Sequence, residues 1–168
     1  MLRQKGSRAH SPEDGSPRRG QGRVYRRGRF QGSVLRVVFD TNVIVSAFIT
    51  RGTSFDVFEH CLSSHQNFIS PHIRNEVESV LSKKFSFPPT TVEEILGYLD
   101  NNLGFVEADP IEESICRDSS DDLVLACAEA AQADCLITGD EDLLVLKEFK
   151  GTLIIRPSNF WRFEKGRP

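Results

Sequence analysis

No apolar run in this 168-residue chain approaches the ~18–20 residues needed to span a bilayer. Its N-terminus has no apolar signal-peptide core. Together these absences point away from the membrane and the secretory route, towards the cytosol. The four cysteines (Cys61, Cys116, Cys127, Cys135) form no CxxC pair, which argues against a zinc site. Three of them sit beside apolar residues in periodic segments, the pattern of buried, reduced thiols. No Gly-rich loop is built to cradle phosphate, and no Ser-His-Asp order stands out. His60 and His65 are five residues apart and His72 follows Pro71, so no pair has the i, i+4 spacing of a helical histidine metal site.

What the chain does have is an uneven charge. Residues 1–32 carry nine Lys/Arg against two Asp/Glu; the remainder carries twelve against twenty-two. A basic segment is thus attached to an acidic domain. The first 32 residues are rich in Arg, Gly, Ser and Gln and poor in aliphatics, a composition that does not fold alone. Such a tail binds RNA or anionic surfaces, or is merely solvated. Alternatively the functional start lies near Val34. A mitochondrial presequence is disfavoured by the lack of an apolar helical face. The acidic remainder needs cations or a local basic patch before it can meet nucleic acid.

From Val34 the pattern changes. Val34–Phe39 is a short β-branched run, the signature of a buried strand. Further strands are expected at Asn67–Ile69, Phe105–Val106, Cys135–Thr138 and Leu153–Ile155. Helices are expected over 54–63, from Pro71 with Ser70 as cap, over Thr91–Leu103, Asp121–Ala131 and Asp142–Lys147, and from a Ser158 cap to Phe163. Ile73, Val77, Val80 and Leu81 give the helix after Pro71 an apolar face. Strands alternating with helices imply an α/β fold with a mainly parallel sheet covered on both faces.

In such a fold, sites gather at the C-terminal edge of the strands. Asp40 ends the first strand, and Asp140 lies just past Cys135–Thr138. Returning helices present their N-termini at the same edge, which brings in Asp122 and Glu76. Glu76 lies three residues after Ile73 and four before Val80, on the border of the apolar face. Four carboxylates at one edge repel each other unless a cation compensates. Hard oxygen ligands favour Mg²⁺ or Mn²⁺, and phosphodiester chemistry follows. Each acid alone has a plainer reading. Asp40, Asp121 or Asp122 can cap a helix, Asp140 and Asp142 can serve a turn, and Glu76 can be solvated.

VVFDTNVIVSAF, the helix holding Glu76, DDLVLACAEAAQADCLITGDEDLL and LIIRPSNFW together resemble a PIN domain over residues 34–163. The branch they resemble most holds toxin components of bacterial toxin–antitoxin systems. The resemblance implies a three-layer sandwich with a central, mainly parallel sheet, and a Mg²⁺- or Mn²⁺-dependent ribonuclease. It assigns the metal-ligating acids to Asp40, Glu76, Asp122 and Asp140. Asp122 is preferred to Asp121 because sixteen residues separate it from Thr138. Thr41, Asn42 and Thr138 match polar residues lining the site, and Asp142 and Asp121 stand in its outer shell. An RNA substrate, an antitoxin partner and a homodimer are implied with it, in the cytoplasm. Arg51, Arg74, Lys83, Lys84 and Arg117 are candidates to guide an RNA backbone, or a solvated rim.

Trp161, Phe160 and Phe163 either stack on bases or fasten the last helix. Phe85 and Phe87, beside Lys83 and Lys84, read as core or interface packing. Two other functions are weighed. A haloacid dehalogenase-type phosphatase needs a second Asp two residues after Asp40, where this chain has Asn42. A non-catalytic PIN-like scaffold for RNA or protein would be suggested by loss of one of the four acids. Residues 164–168 are expected to be a flexible C-terminus.

Overall fold

The computed structural model describes residues 34–166. The basic tail lies outside the described residues. Strand β1 (Arg36–Phe39) is buried along nearly its whole length, as its β-branched sequence requires of a strand covered on both faces. Helices α1 (Thr41–Ile49) and α2 (Thr53–Ser64) lead to β2 (Gln66–Ile69). Helix α3 (Pro71–Ser79) starts with Pro71 at its first turn, and the Ser70 hydroxyl accepts from the Ile73 N–H. A π-helical turn, Val80–Lys84, continues α3 and keeps Leu81 in the core. Then come α4 (Pro89–Asn102), β3 (Gly104–Phe105), α5 (Ser119–Ala130), β4 (Cys135–Ile137), α6 (Glu141–Leu144), β5 (Glu148–Phe149), β6 (Thr152–Ile155) and α7 (Phe160–Lys165).

The sheet order is β3-β2-β1-β4-β6-β5. All pairings are parallel except β5 with β6. The chain adds β2 and β3 to one side of β1, then crosses to place β4 and β6 on the other. The C-terminal ends of β1 and β4 therefore meet where the strand order reverses, the usual crevice of an open α/β sheet. Their register pairs Phe39 with Ile137, so Asp40 and Thr138 emerge side by side. Helices cover both faces, and one apolar cluster fills the space between them and the sheet.

Three details depart from the sequence reading. The helix expected over Asp142–Lys147 stops at Leu144, and the chain turns through Lys147 (φ +61°) into the antiparallel β5–β6 hairpin. Ser158 does not cap the last helix; it sits in a 3₁₀ turn, Pro157–Asn159, and α7 begins at Phe160. That helix runs to Lys165, past the boundary expected at Phe163, because Glu164 is held by two histidines. No helix among the described residues is long and apolar enough to cross a membrane.

Candidate active site

Asp40 occupies the N-cap position of α1, yet its carboxylate makes no capping bond. Instead Oδ2 accepts from Thr138 Oγ1 at 2.8 Å. The same hydroxyl accepts from the Asp140 N–H at 2.9 Å, which orients its own proton towards Asp40. Asp40 is only 5% exposed. Burial raises its pKa; the Thr138 bond opposes that, and the charges of Glu76 and Asp140 raise it further.

Glu76 reaches the same edge from α3. Its Oε2 accepts from Thr41 Oγ1 at 2.5 Å, and its Oε1 lies 3.5 Å from Ser120 Oγ. His72 stands behind, 3.3 Å from Ser120 Oγ and 3.9 Å from Glu76 Oε2. Asp140 caps α6 by accepting from the Asp142 N–H, so its plainer reading as a turn residue holds alongside its place in the cluster. One carboxylate oxygen each from Asp121, Asp140 and Asp142 lie within 4.8 Å of one another. Burial and the charges of Asp140 and Asp40 push the Asp121 carboxyl up to about 6.

The geometry sets the two neighbouring acids of α5 in different surroundings. Asp122 is the one that the family resemblance names as a ligand. Its Oδ1 instead accepts from the Ile115 and Cys116 N–H groups at 3.1 and 2.9 Å, and its Oδ2 from Ser114 Oγ at 2.7 Å. Burial alone would raise its pKa, but these bonds outweigh burial and hold it below the usual value. Asp122 is therefore committed to the loop before α5. The helix cap is neither acid: Asp118 accepts from the Ser120 N–H.

That cap sets the phase of the helix. Asp118 as cap starts the helix at Ser119 and places Asp121 at its third position. Steps of three, four and seven from Asp121 then fall on Val124, Leu125 and Ala128, all at most 1% exposed. The same steps from Asp122 end on exposed Glu129. Asp121 thus continues the stripe that faces the sheet. Ser120 and Ser114 are not legible in the sequence, because nothing local marks them, and His72 stands out there only as a histidine without a helical partner for a metal.

The remaining candidates divide. Asn42 is exposed on the first turn of α1. Arg117 binds both oxygens of Asp142 at 2.7 and 2.8 Å, beside the acidic group. Arg74 is committed to Asp100 in a two-point pair at 2.7 and 2.8 Å. Arg51 lies over the Phe55 ring and Lys84 over Phe85, while Lys83 is exposed. Phe85 and Phe87 make an edge contact with each other. Phe160 is fully buried and Trp161 packs on His60, so these aromatics fasten α7.

His60 and His65 do come together, at the opposite edge of the sheet, where both bond Oε1 of Glu164 at 2.8 and 2.9 Å. The His65 Nδ1 accepts from the Leu35 N–H, so its proton sits on Nε2, pointing at Glu164. That is the tautomer of a hydrogen-bonded clamp, not of a ligand offering Nε2 to a metal.

At the acidic edge the donors are hard carboxylate oxygens with a surplus of negative charge that Arg117 neutralises only in part. This set fits a divalent cation of the Mg²⁺ or Mn²⁺ kind.

No curated protein matches the chain in sequence. Several solved structures share its fold, two of them as follows. A chain of VapBC2 from Rickettsia felis, determined bound to a DNA fragment from its promoter, aligns with a TM-score of 0.53 and 16% identity. The alignment covers 73% of this chain and 98% of that one. PAE2754 from Pyrobaculum aerophilum aligns with a TM-score of 0.51 and 17% identity, over 82% and 95% of the two chains. The sequence profile of the PIN domain matches residues 36–142, well over half of the chain. With Asp40 at the end of β1, Asp140 past β4 and α5 returning Asp121 to the same crevice, that match covers every element of the acidic edge, and the chain belongs to the PIN-domain family.

Proposed function

We propose that this chain is a metal-dependent endoribonuclease, the toxin of a toxin–antitoxin pair, with Asp40, Glu76, Asp121 and Asp140 as its metal ligands. One observation carries the reading. Acids from four separate elements converge on the crevice between β1 and β4, and they feel each other's charge there. A structural cluster of that kind destabilises the fold unless a cation is its purpose.

A bound Mg²⁺ or Mn²⁺ would polarise a phosphodiester and lower the pKa of an attacking water. The chain's own residues do the positioning. Thr138 fixes Asp40 and ties it to the Asp140 backbone, so the two acids that follow adjacent strands move as one unit. Thr41 fixes Glu76 from across the crevice. Arg117, on the exposed side of Asp142, is placed to exchange that carboxylate for a backbone phosphate of the RNA. Asp122 holds the 114–116 loop, which leads directly to Arg117. An antitoxin partner is proposed from the resemblance to toxin components and from the likeness to VapBC2. A homodimer is proposed on the resemblance alone.

The test uses full-length protein, free of any partner, and a mixed RNA pool with Mg²⁺, Mn²⁺ or chelator. Cleavage should require metal and fall by at least ~100-fold in Asp121→Asn, the scale of losing one electrostatic contributor to a transition state. Asp122→Asn should cleave at a rate within a few-fold of wild type while folded. RNA binding without cleavage in any metal would replace this reading with that of a scaffold. Hydrolysis of small phosphate esters instead of RNA would replace it with a phosphatase.

A further inference from the structure

A cleft of about 600 Å³ lies between the loop after β3 and the last turns of α5. Ile111, Ile115, Ala126 and Ala130 give it apolar surface. Glu107, Asp109, Glu112, Glu113 and Glu129 line it beside them. Lys150 is the cation of the lining, and it is already paired with Glu129 at 2.7 Å. Apolar surface of this kind takes apolar stems, and the carboxylates beside it take cationic heads. That combination suits arginine, whose methylenes pack on apolar surface while its guanidinium meets carboxylates. Nucleic acid is unsuited to it, because these carboxylates repel phosphate.

The chain carries a matching ligand. Residues 18–29 contain six arginines (Arg18, Arg19, Arg23, Arg26, Arg27, Arg29) and no acid. Near the start of the described chain, the Arg36 N–H bonds Asp134 at 2.8 Å and its Nε bonds the Ala131 carbonyl at 2.7 Å. Ala131 directly follows Ala130, which lines the cleft. Five to eight residues separate Val34 from Arg29, Arg27 and Arg26. Fully extended, they span roughly 16–29 Å, enough to cross the end of one helix.

We propose that this cleft is the docking site of the chain's own arginine-rich segment, residues 18–29. Each exposed ion pair contributes little, about 0–1 kcal/mol. Several act together here, and the short connection holds the segment at an effective concentration in the millimolar range, so weak pairs suffice. The basic segment then serves as a cover for the acidic flank of the domain rather than as a free arm for RNA.

The experiment is an amide chemical-shift comparison by NMR on full-length proteins. Wild type is compared with a variant in which all six arginines become Gln. A second variant, Glu107→Gln with Glu112→Gln and Glu113→Gln, alters the lining and leaves the tail intact. Differences between wild type and the tail variant should concentrate at residues 107–115, 126–130 and 150. They should collapse on raising salt from roughly 50 to roughly 500 mM, which shortens the screening length to below about 8 Å. The lining variant should release residues 18–29 to the sharp, coil-like resonances of a free peptide. Differences at Asp40, Thr138 and Asp140 would overturn the proposal in favour of a tail that covers the acidic edge. Differences that scale with protein concentration would overturn it in favour of exchange between two copies. No difference anywhere would leave the segment undocked and the proposal refuted.

Discussion

Asp121 and Asp122 are adjacent in sequence and opposite in physical role. Asp121 is held at an edge crowded with like charge, and its pKa is pushed up to about 6 by burial, then by Asp140 and Asp40. The ordinary value is 3.8. A raised carboxyl contributes stability that is complete below pH 3.8 and is lost as pH rises through about 6. At neutral pH and without metal, Asp121 therefore works against the fold. Asp122 works for it, by accepting from two backbone N–H groups and one hydroxyl. The two variants should cross over. Asp121→Asn should raise the melting temperature of the metal-free protein at pH 7.5 and flatten its dependence on pH near 6. Asp122→Ala should cost about 1–3 kcal/mol by stranding those donors, and Tm should fall accordingly. Thermal melts of the three proteins in chelator decide this. Equal Tm values for wild type and both variants would mean that neither environment is as described.

The same reasoning applies to whole elements. Helix α7 is the last element of the described chain, and it is fastened by Phe160 in the core and by Glu164 between His60 and His65. Burial lowers the pKa of His65, and the Glu164 bond only partly restores it. A buried neutral histidine contributes stability that is present above its ordinary value of 6.5 and is lost as the unfolded chain takes up the proton below it. For Glu164, burial pushes the carboxyl up, but the bonds from His60 and His65 prevail and hold it below its ordinary 4.5. Its contribution persists above that value and disappears only as pH falls through the lowered one. Two acid-side steps are expected, the first below pH 6.5 from His65 and the second below 4.5 from Glu164. In His65→Gln the first step should vanish; in Glu164→Gln the second should. Tm measured against pH in the two variants separates them, with the wild type as reference. A first step that survives in His65→Gln would assign it to another group.

At the scale of the whole molecule, four elements meet at one crevice and each brings an acid. A cation that binds only the folded state stabilises it by mass action, about 2.7 kcal/mol when present at about 100 times its Kd. Mn²⁺ or Mg²⁺ should therefore raise Tm in a saturable way, reversed by chelator, and the rise should be lost in Asp121→Asn and kept in Asp122→Asn. Calcium at the same concentration controls for nonspecific charge. A rise of equal size in both variants would place the cation elsewhere.

Much of this was legible in the chain. The run at Val34–Phe39 announced a buried strand, because β-branched residues without polar alternation suit a strand covered on both faces. Ser70-Pro71 announced the start of α3 for equally local reasons. Strands alternating with helices made the sheet parallel, and a parallel sheet directs Asp40, Asp140 and the returning helix N-termini to one edge. These follow from local conformational preference and chain topology, which sequence carries directly. The rest depended on contacts between residues far apart in the chain. Thr138 selects Asp40 across 98 residues, and Thr41 selects Glu76 across 35. Two histidines find Glu164 a hundred residues on. The proposed choice of Asp121 over Asp122 rests on a rotation of one residue about a helix axis. Sequence places both acids at the edge, but only the packing of α5 against the sheet decides which of them faces the crevice and which holds the loop.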